Sequence, residues 1–195
     1  MSSLQESEGA SKMNPSIAPL ANRKNCVLVI IDVQQKLVPV IEEARKIIEN
    51  IVKLIKFSKI LGFPVVLTEQ QKLGETVTEI RGEIPDFQPI SKITFSCFGS
   101  EEFRKHIRQL NRNTLIITGV EAHICVAQTA LPAISDYTVH VVSDAIGSRS
   151  IHDWEIALDR MRHNGITITS TEMLIYELLV RAGTPEFKEA LRLIK

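Results

Sequence analysis

Two stretches of the chain, Cys26-Val-Leu-Val-Ile-Ile31 and Leu115-Ile-Ile-Thr118, are apolar and β-branched with no polar alternation. A strand covered on one face alternates with period two, so unbroken runs of this kind predict parallel strands buried on both faces. Shorter runs predict further strands at 63–68, 138–142 and 166–169, and residues 90–98 form a short extended segment interrupted by Lys92. Between the strands the period changes. Ile47, Ile48, Ile51, Val52, Leu54 and Ile55 recur at helical spacing within 42–61, and Gly62 stops that helix. Ser100 followed by two acids opens a helix, and Ser150 caps another that runs through Arg162 to Asn164-Gly165. Ser170 or Thr171 starts a helix to Arg181, and Thr184-Pro185 starts the last, with cap and N1 proline in order. Residues 74–89 carry no clear period and read as a long connection bordering a pocket. Six strands alternating with helices, without an internal repeat, predict an α/β fold: a three-layer sandwich around a six-stranded parallel sheet.

Residues 1–21 are Ser-, Glu- and Pro-bearing with little hydrophobic pattern, so they are read as a disordered tail, leaving 22–195 as one domain. The 195 residues are 44% hydrophobic, enough for a sizeable core. The formal net charge of +0 gives no support to a nucleic-acid or anionic-membrane partner. Cys26, Cys97 and Cys125 form no CxxC pair, which argues against a disulfide framework and a zinc knuckle and predicts a reducing, cytoplasmic setting. No apolar run approaches the roughly 18 residues of a membrane span, and the N-terminal residues lack the apolar core of a secretory signal.

Candidate chemistry gathers at strand ends. The strand at Leu115–Thr118 passes through Gly119 into a helix whose first turn holds Cys125. A cysteine in an apolar helix is ordinarily core filler, but ligands of open α/β sheets bind at the carboxyl ends of strands, where this residue falls. Helix-terminal amides favour an anion, so the thiol is expected to lose its proton more easily than usual. Asp32 ends the first strand although aspartate is a poor strand former, and Lys92 interrupts an apolar segment.

Three motifs in this order resemble the isochorismatase-like cysteine hydrolases: Val29-Ile-Ile-Asp-Val-Gln34, Lys92 in Ser-Lys-Ile-Thr-Phe-Ser, and Gly119-Val-Glu-Ala-His-Ile-Cys125. Leu67-Thr-Glu-Gln70, Val142-Ser-Asp-Ala-Ile-Gly-Ser-Arg-Ser150 and Pro185-Glu-Phe-Lys188 extend the likeness towards the isochorismatase domain-containing proteins. The resemblance implies a Rossmann-like sheet and an acyl-transfer hydrolase using Asp32, Lys92 and Cys125. It also implies an oxyanion site at the backbone amides of Glu121 and Cys125 and a cis peptide at Val120-Glu121. A cysteine nucleophile points to a small amide or carbamoyl substrate and away from the vinyl-ether cleavage of isochorismatase itself. Nicotinamidases of the family carry metal ligands after the second strand. Thr68-Glu69-Gln70-Gln71 offers no histidine there, so neither a metal nor another cofactor is expected.

Glu69, Gln70 and Arg149 leave strand ends and are candidates for substrate contact. His123 lies two residues from the nucleophile, a spacing that turns the two side chains apart on a helix, so it is not read as a base. The expected partner is a small molecule, with no nucleic acid and no membrane, in a homo-oligomer. The rival reading is a catalytically silent oligomeric binding protein, with the apolar positions Leu174, Leu178, Leu179, Leu191 and Ile194 serving assembly as well as core. A nuclease finds no basic run and no paired carboxylates.

Overall fold

Every residue of β1 (Cys26–Ile31) is buried, as a strand covered on both faces must be. Its side chains alternate between two cores: Cys26, Leu28 and Ile30 enter one, and Val27, Val29 and Ile31 the other. The computed structural model describes residues 20–194. The chain continues through α1 (Ala44–Leu61), β2 (Val65–Gln70), a single turn α2 (Thr78–Arg81), β3 (Ile90–Lys92), α3 (Glu101–Gln109) and β4 (Thr114–Val120). It ends with α4 (Ala127–Ala133), β5 (Thr138–Gly147), α5 (Ile151–His163), β6 (Thr167–Thr169), α6 (Thr171–Leu179) and α7 (Pro185–Ile194).

The strands pair in the order β3-β2-β1-β4-β5-β6, all parallel. Residues of α1, α6 and α7 fill the first core, and those of α3, α4 and α5 the second, which makes the three layers. The order reverses beside β1, where one crossover leads outward to β2 and the next returns to β4. Asp32 follows β1, and Gly119 pairs with Ile31, so the carboxyl ends of β1 and β4 meet at this switch point.

Helix starts follow the sequence signals closely. Ser100, Ser150 and Ser170 each accept a hydrogen bond from the amide three residues on, and Gly62 closes α1 in the left-handed conformation. Several boundaries differ from expectation. β2 runs to Gln70, two residues beyond Thr68, because Glu69 and Gln70 pair with Ser91 and Lys92 of β3. β5 continues past Val142 to Gly147, shifting register against β4 between Ile117 and Gly119. Within the connection at 74–89, Thr78–Arg81 forms one helical turn over the buried Ile80.

The expected tail lies outside the described residues up to position 19. Ala21, assigned to it, is buried and its amide donates to the Glu177 carboxylate. Of the apolar C-terminal positions, Leu174, Leu178 and Leu179 take the core alternative, in one cluster with residues of α1. Among the described residues no helix is long and apolar enough to cross a membrane.

Candidate active site

Asp32 sits one residue beyond β1 in the left-handed region, with φ of 52° and no solvent exposure. Each oxygen of its carboxylate has its own donor. Thr68 Oγ1 donates to Oδ1 at 2.8 Å, and Lys92 Nζ donates to Oδ2 at 2.6 Å. The ammonium also reaches Gln70 Oε1 at 2.9 Å and the carbonyl oxygens of Thr94 and Phe95 at 3.2 and 3.3 Å. Both side chains of the Asp32–Lys92 pair are 0% exposed. Buried charges are tolerable only when paired and hydrogen-bonded, and here every polar atom of the pair is engaged.

Cys125 approaches this pair from β4. Val120–Glu121 is a cis peptide, as the resemblance implied, and Ala122–Val126 then form a π-helical turn before α4. The turn is closed by the Val126 amide donating to the Glu121 carbonyl at 3.2 Å, a five-residue step. Cys125 is 6% exposed, and its thiol lies within the influence of the Asp32 carboxylate. The sequence expectation of an easily ionised thiol is reversed. Burial, followed by the Asp32 charge, pushes the thiol up to about 12, and the Lys92 ammonium only partly opposes them. The resting group is therefore a thiol beside the Asp32 carboxylate.

A second buried thiol extends the chain of contacts: Cys97 Sγ lies 3.7 Å from Thr68 Oγ1, the hydroxyl that donates to Asp32. Cys26 and Cys97 are pushed up to about 12 and about 11, chiefly by burial. Thr68 was missed in the sequence, where a threonine in an apolar run reads only as strand. Gln34 was missed as well. Its Oε1 accepts from the Gln70 amide at 2.8 Å, and its Nε2 donates to the Gln70 and Gly74 carbonyls at 2.9 and 2.6 Å, fixing the strand end that carries the Lys92 partner.

The three candidate substrate contacts all have partners within the fold. Glu69 Oε1 accepts from the amide and hydroxyl of Thr76 at 2.7 and 2.8 Å. Gln70 bridges Lys92 Nζ and the Ile93 carbonyl. Arg149 binds Glu121, with Nε at 3.0 Å from Oε2 and Nη2 at 2.5 Å from Oε1. Burial favours the neutral Glu121 carboxyl, but the hydrogen bonds and charge of Arg149 outweigh it and hold that group below the usual range. His123 Nδ1 lies 2.9 Å from Ser148 Oγ, an engagement away from the thiol. The donor set at the end of β2 does not suit a metal: Glu69 is committed to Thr76, and no group of three metal-ligating side chains occurs among the described residues.

The isochorismatase domain family model matches residues 26–173, a span that includes all three motif residues. The chain belongs to the isochorismatase family. The zebrafish (Danio rerio) isochorismatase domain-containing protein 2 is 34% identical over 175 residues, covering 88% of this chain and 87% of that protein. A secreted isochorismatase effector, Isc1, of Phytophthora sojae is 36% identical over 87% of this chain and 84% of its own length. Among solved structures, the MAR1 ribonuclease of Caenorhabditis elegans superposes with a TM-score of 0.84 at 32% identity, covering 90% of this chain and 92% of that one. The YcaC protein of Escherichia coli, described as an octameric hydrolase of unknown specificity, gives 0.80 at 25% identity over 89% and 86%. The isochorismatase-family hydrolase fold is thus shared along nearly the whole domain.

Proposed function

We propose that the chain is a cysteine hydrolase acting on a small amide or carbamoyl compound through an acyl-enzyme. The observation that carries this reading is the nearly buried Cys125 thiol beside a carboxylate that is itself locked by Lys92 and Thr68. In the proposed cycle Asp32 takes the Cys125 proton as sulfur attacks the carbonyl carbon. The oxyanion is held by the backbone N–H groups of Glu121 and Cys125. Collapse breaks the C–N bond, and the proton on Asp32 leaves with the amine. Water then gives a proton to Asp32 and hydroxide to the thioester, and the restored proton returns to sulfur. Throughout, Lys92 balances the charge on the buried Asp32. Gln70 and Arg149 act here by positioning Lys92 and Glu121.

The same reading takes the protein to be a homo-oligomer, supported by the octameric YcaC relative, in a reducing compartment that suits three unpaired cysteines. The test is turnover of a panel of small amides, carbamoyl compounds and isochorismate, with mass spectrometry of the intact protein to trap the acyl group on Cys125. Cys125→Ala should abolish both turnover and adduct, and chelators should leave turnover unchanged. Turnover that survives Cys125→Ala overturns the nucleophile, and an intact panel with a folded wild type favours a silent binding protein.

A further inference from the structure

The triad occupies the carboxyl ends of the strands. At their amino ends a separate cavity of about 530 Å³ opens, lined by Arg104, Arg108 and Arg112 together with Phe98, Tyr137 and Asp136. The volume falls in the range of small-molecule sites, roughly 300–1,000 Å³. β4 separates the two regions, and its seven residues span roughly 20 Å at about 3.3 Å per residue. The protein carries no net charge, so three arginines facing one carboxylate are a local concentration of positive charge. None of the three makes an ion pair within 4.0 Å among the described residues.

Two of the arginines are anchored through one nitrogen each. Arg104 Nη1 donates to the Phe98 carbonyl, and Arg112 Nη1 donates to the carbonyls of Arg23 and Cys26 at 2.8 and 3.2 Å. A guanidinium has five N–H donors, so these anchors fix both side chains and leave most donors free. Arg108, one turn beyond Arg104 on α3, is exposed and has no side-chain partner among the described residues. Fixed guanidinium forks with spare donors suit phosphate oxygens. On the same wall Phe98 and Tyr137 are half-buried, with ring centroids 5.8 Å apart and planes tilted by 37°. They offer an aromatic surface for a flat ring.

We infer that this cavity is a binding site for a phosphate monoester of nucleotide size, with the phosphate on the three arginines and the ring against Phe98 and Tyr137. The site is independent of the hydrolytic centre and of the reading given for it. Adenosine 5′-monophosphate is the probe, titrated calorimetrically into the full chain, with adenosine and a short single-stranded RNA as comparisons. Arg108→Glu is the decisive variant, because that side chain supports nothing else in the fold. It should leave melting temperature and hydrolysis unchanged while weakening the monophosphate by about tenfold or more, as loss of a charge-assisted contact requires. Adenosine should bind much more weakly than the monophosphate. The inference is overturned if the monophosphate shows no saturable binding, if Arg108→Glu binds it as well as wild type, or if adenosine binds equally well. RNA binding tighter than the monophosphate would instead make this an RNA surface and overturn the small-ligand assignment.

Discussion

At Cys125 two local effects compete, and the structure decides between them. A helix start favours a thiolate, but burial and the facing Asp32 carboxylate push the thiol up to about 12. Iodoacetamide should therefore label Cys125 slowly at pH 7 and faster as the pH rises. It should still react ahead of Cys26 and Cys97, which are fully buried while Cys125 is 6% exposed. Asp32→Asn removes the charge that disfavours the thiolate, so Cys125 should label faster at a given pH while hydrolysis is lost. Slower labelling in a folded Asp32→Asn variant, by peptide mass mapping, would contradict this account of the thiol. Arg149 gives a second residue-level prediction. Its guanidinium satisfies a Glu121 carboxylate that is only 3% exposed. Arg149→Ala leaves that carboxylate with only the backbone amide of residue 149 as donor and should cost about 1.5–3 kcal/mol in chemical denaturation. The folded-state pKa of Glu121 is depressed, so its contribution is present above the ordinary 4.5 and disappears as pH falls through the lowered value. The difference between wild type and Arg149→Ala should shrink accordingly in acid.

At the scale of elements, Gly119 joins the two central strands to the site. Its φ is +111°, and a Cβ built there would lie 2.1 Å from the Ile31 carbonyl oxygen, so β1 and β4 meet closely only because the side chain is absent. Gly119→Ala combines left-handed strain with backbone overlap and should cost about 3–5 kcal/mol. A variant melting within a degree or two of wild type would show that the strands can separate without loss. Such pairing explains what was legible in the sequence. β1 and β4 were readable because covering both faces demands unbroken apolar runs, and Asp32, Lys92 and Cys125 stood out as chemistry at or near strand ends. The ends of β2 and β5 were not readable. Glu69 and Gln70 are polar yet remain in strand because β3 pairs with them, and Ser143 and Asp144 are polar yet remain in β5, bonding across to Thr169 and Thr171. Thr68 and Gln34 were invisible as site residues because their importance lies in contacts 36 positions away. The arginines of the second cavity carried a signal in their four-residue spacing, masked by a neutral total charge.

For the whole molecule, buried titratable groups set the pH range of stability from both sides. On the alkaline side the three buried thiols have folded pKa values raised from 9.0 to about 11 or 12. Their stabilising effect is complete below 9 and lost as pH rises through those values, so melting temperature should fall from about pH 9 upward. The acid side depends on His140 in β5, which is fully buried with neither ring nitrogen meeting a protein partner among the described residues. Burial lowers its pKa from 6.5, and the Glu177 charge only partly opposes this. A depressed folded value means that the unfolded chain binds the proton first. The contribution is present above 6.5 and is lost as pH falls through the lowered value. His140→Leu removes both the titration and two unsatisfied nitrogens at similar volume. It should raise stability by about 1 kcal/mol at neutral pH and flatten the melting curve between pH 7 and 5. Melting temperatures of the two proteins across that interval decide the matter. An equal acid slope in wild type and His140→Leu would shift the acid limit to other groups, and a destabilised variant at neutral pH would mean that the imidazole is satisfied after all.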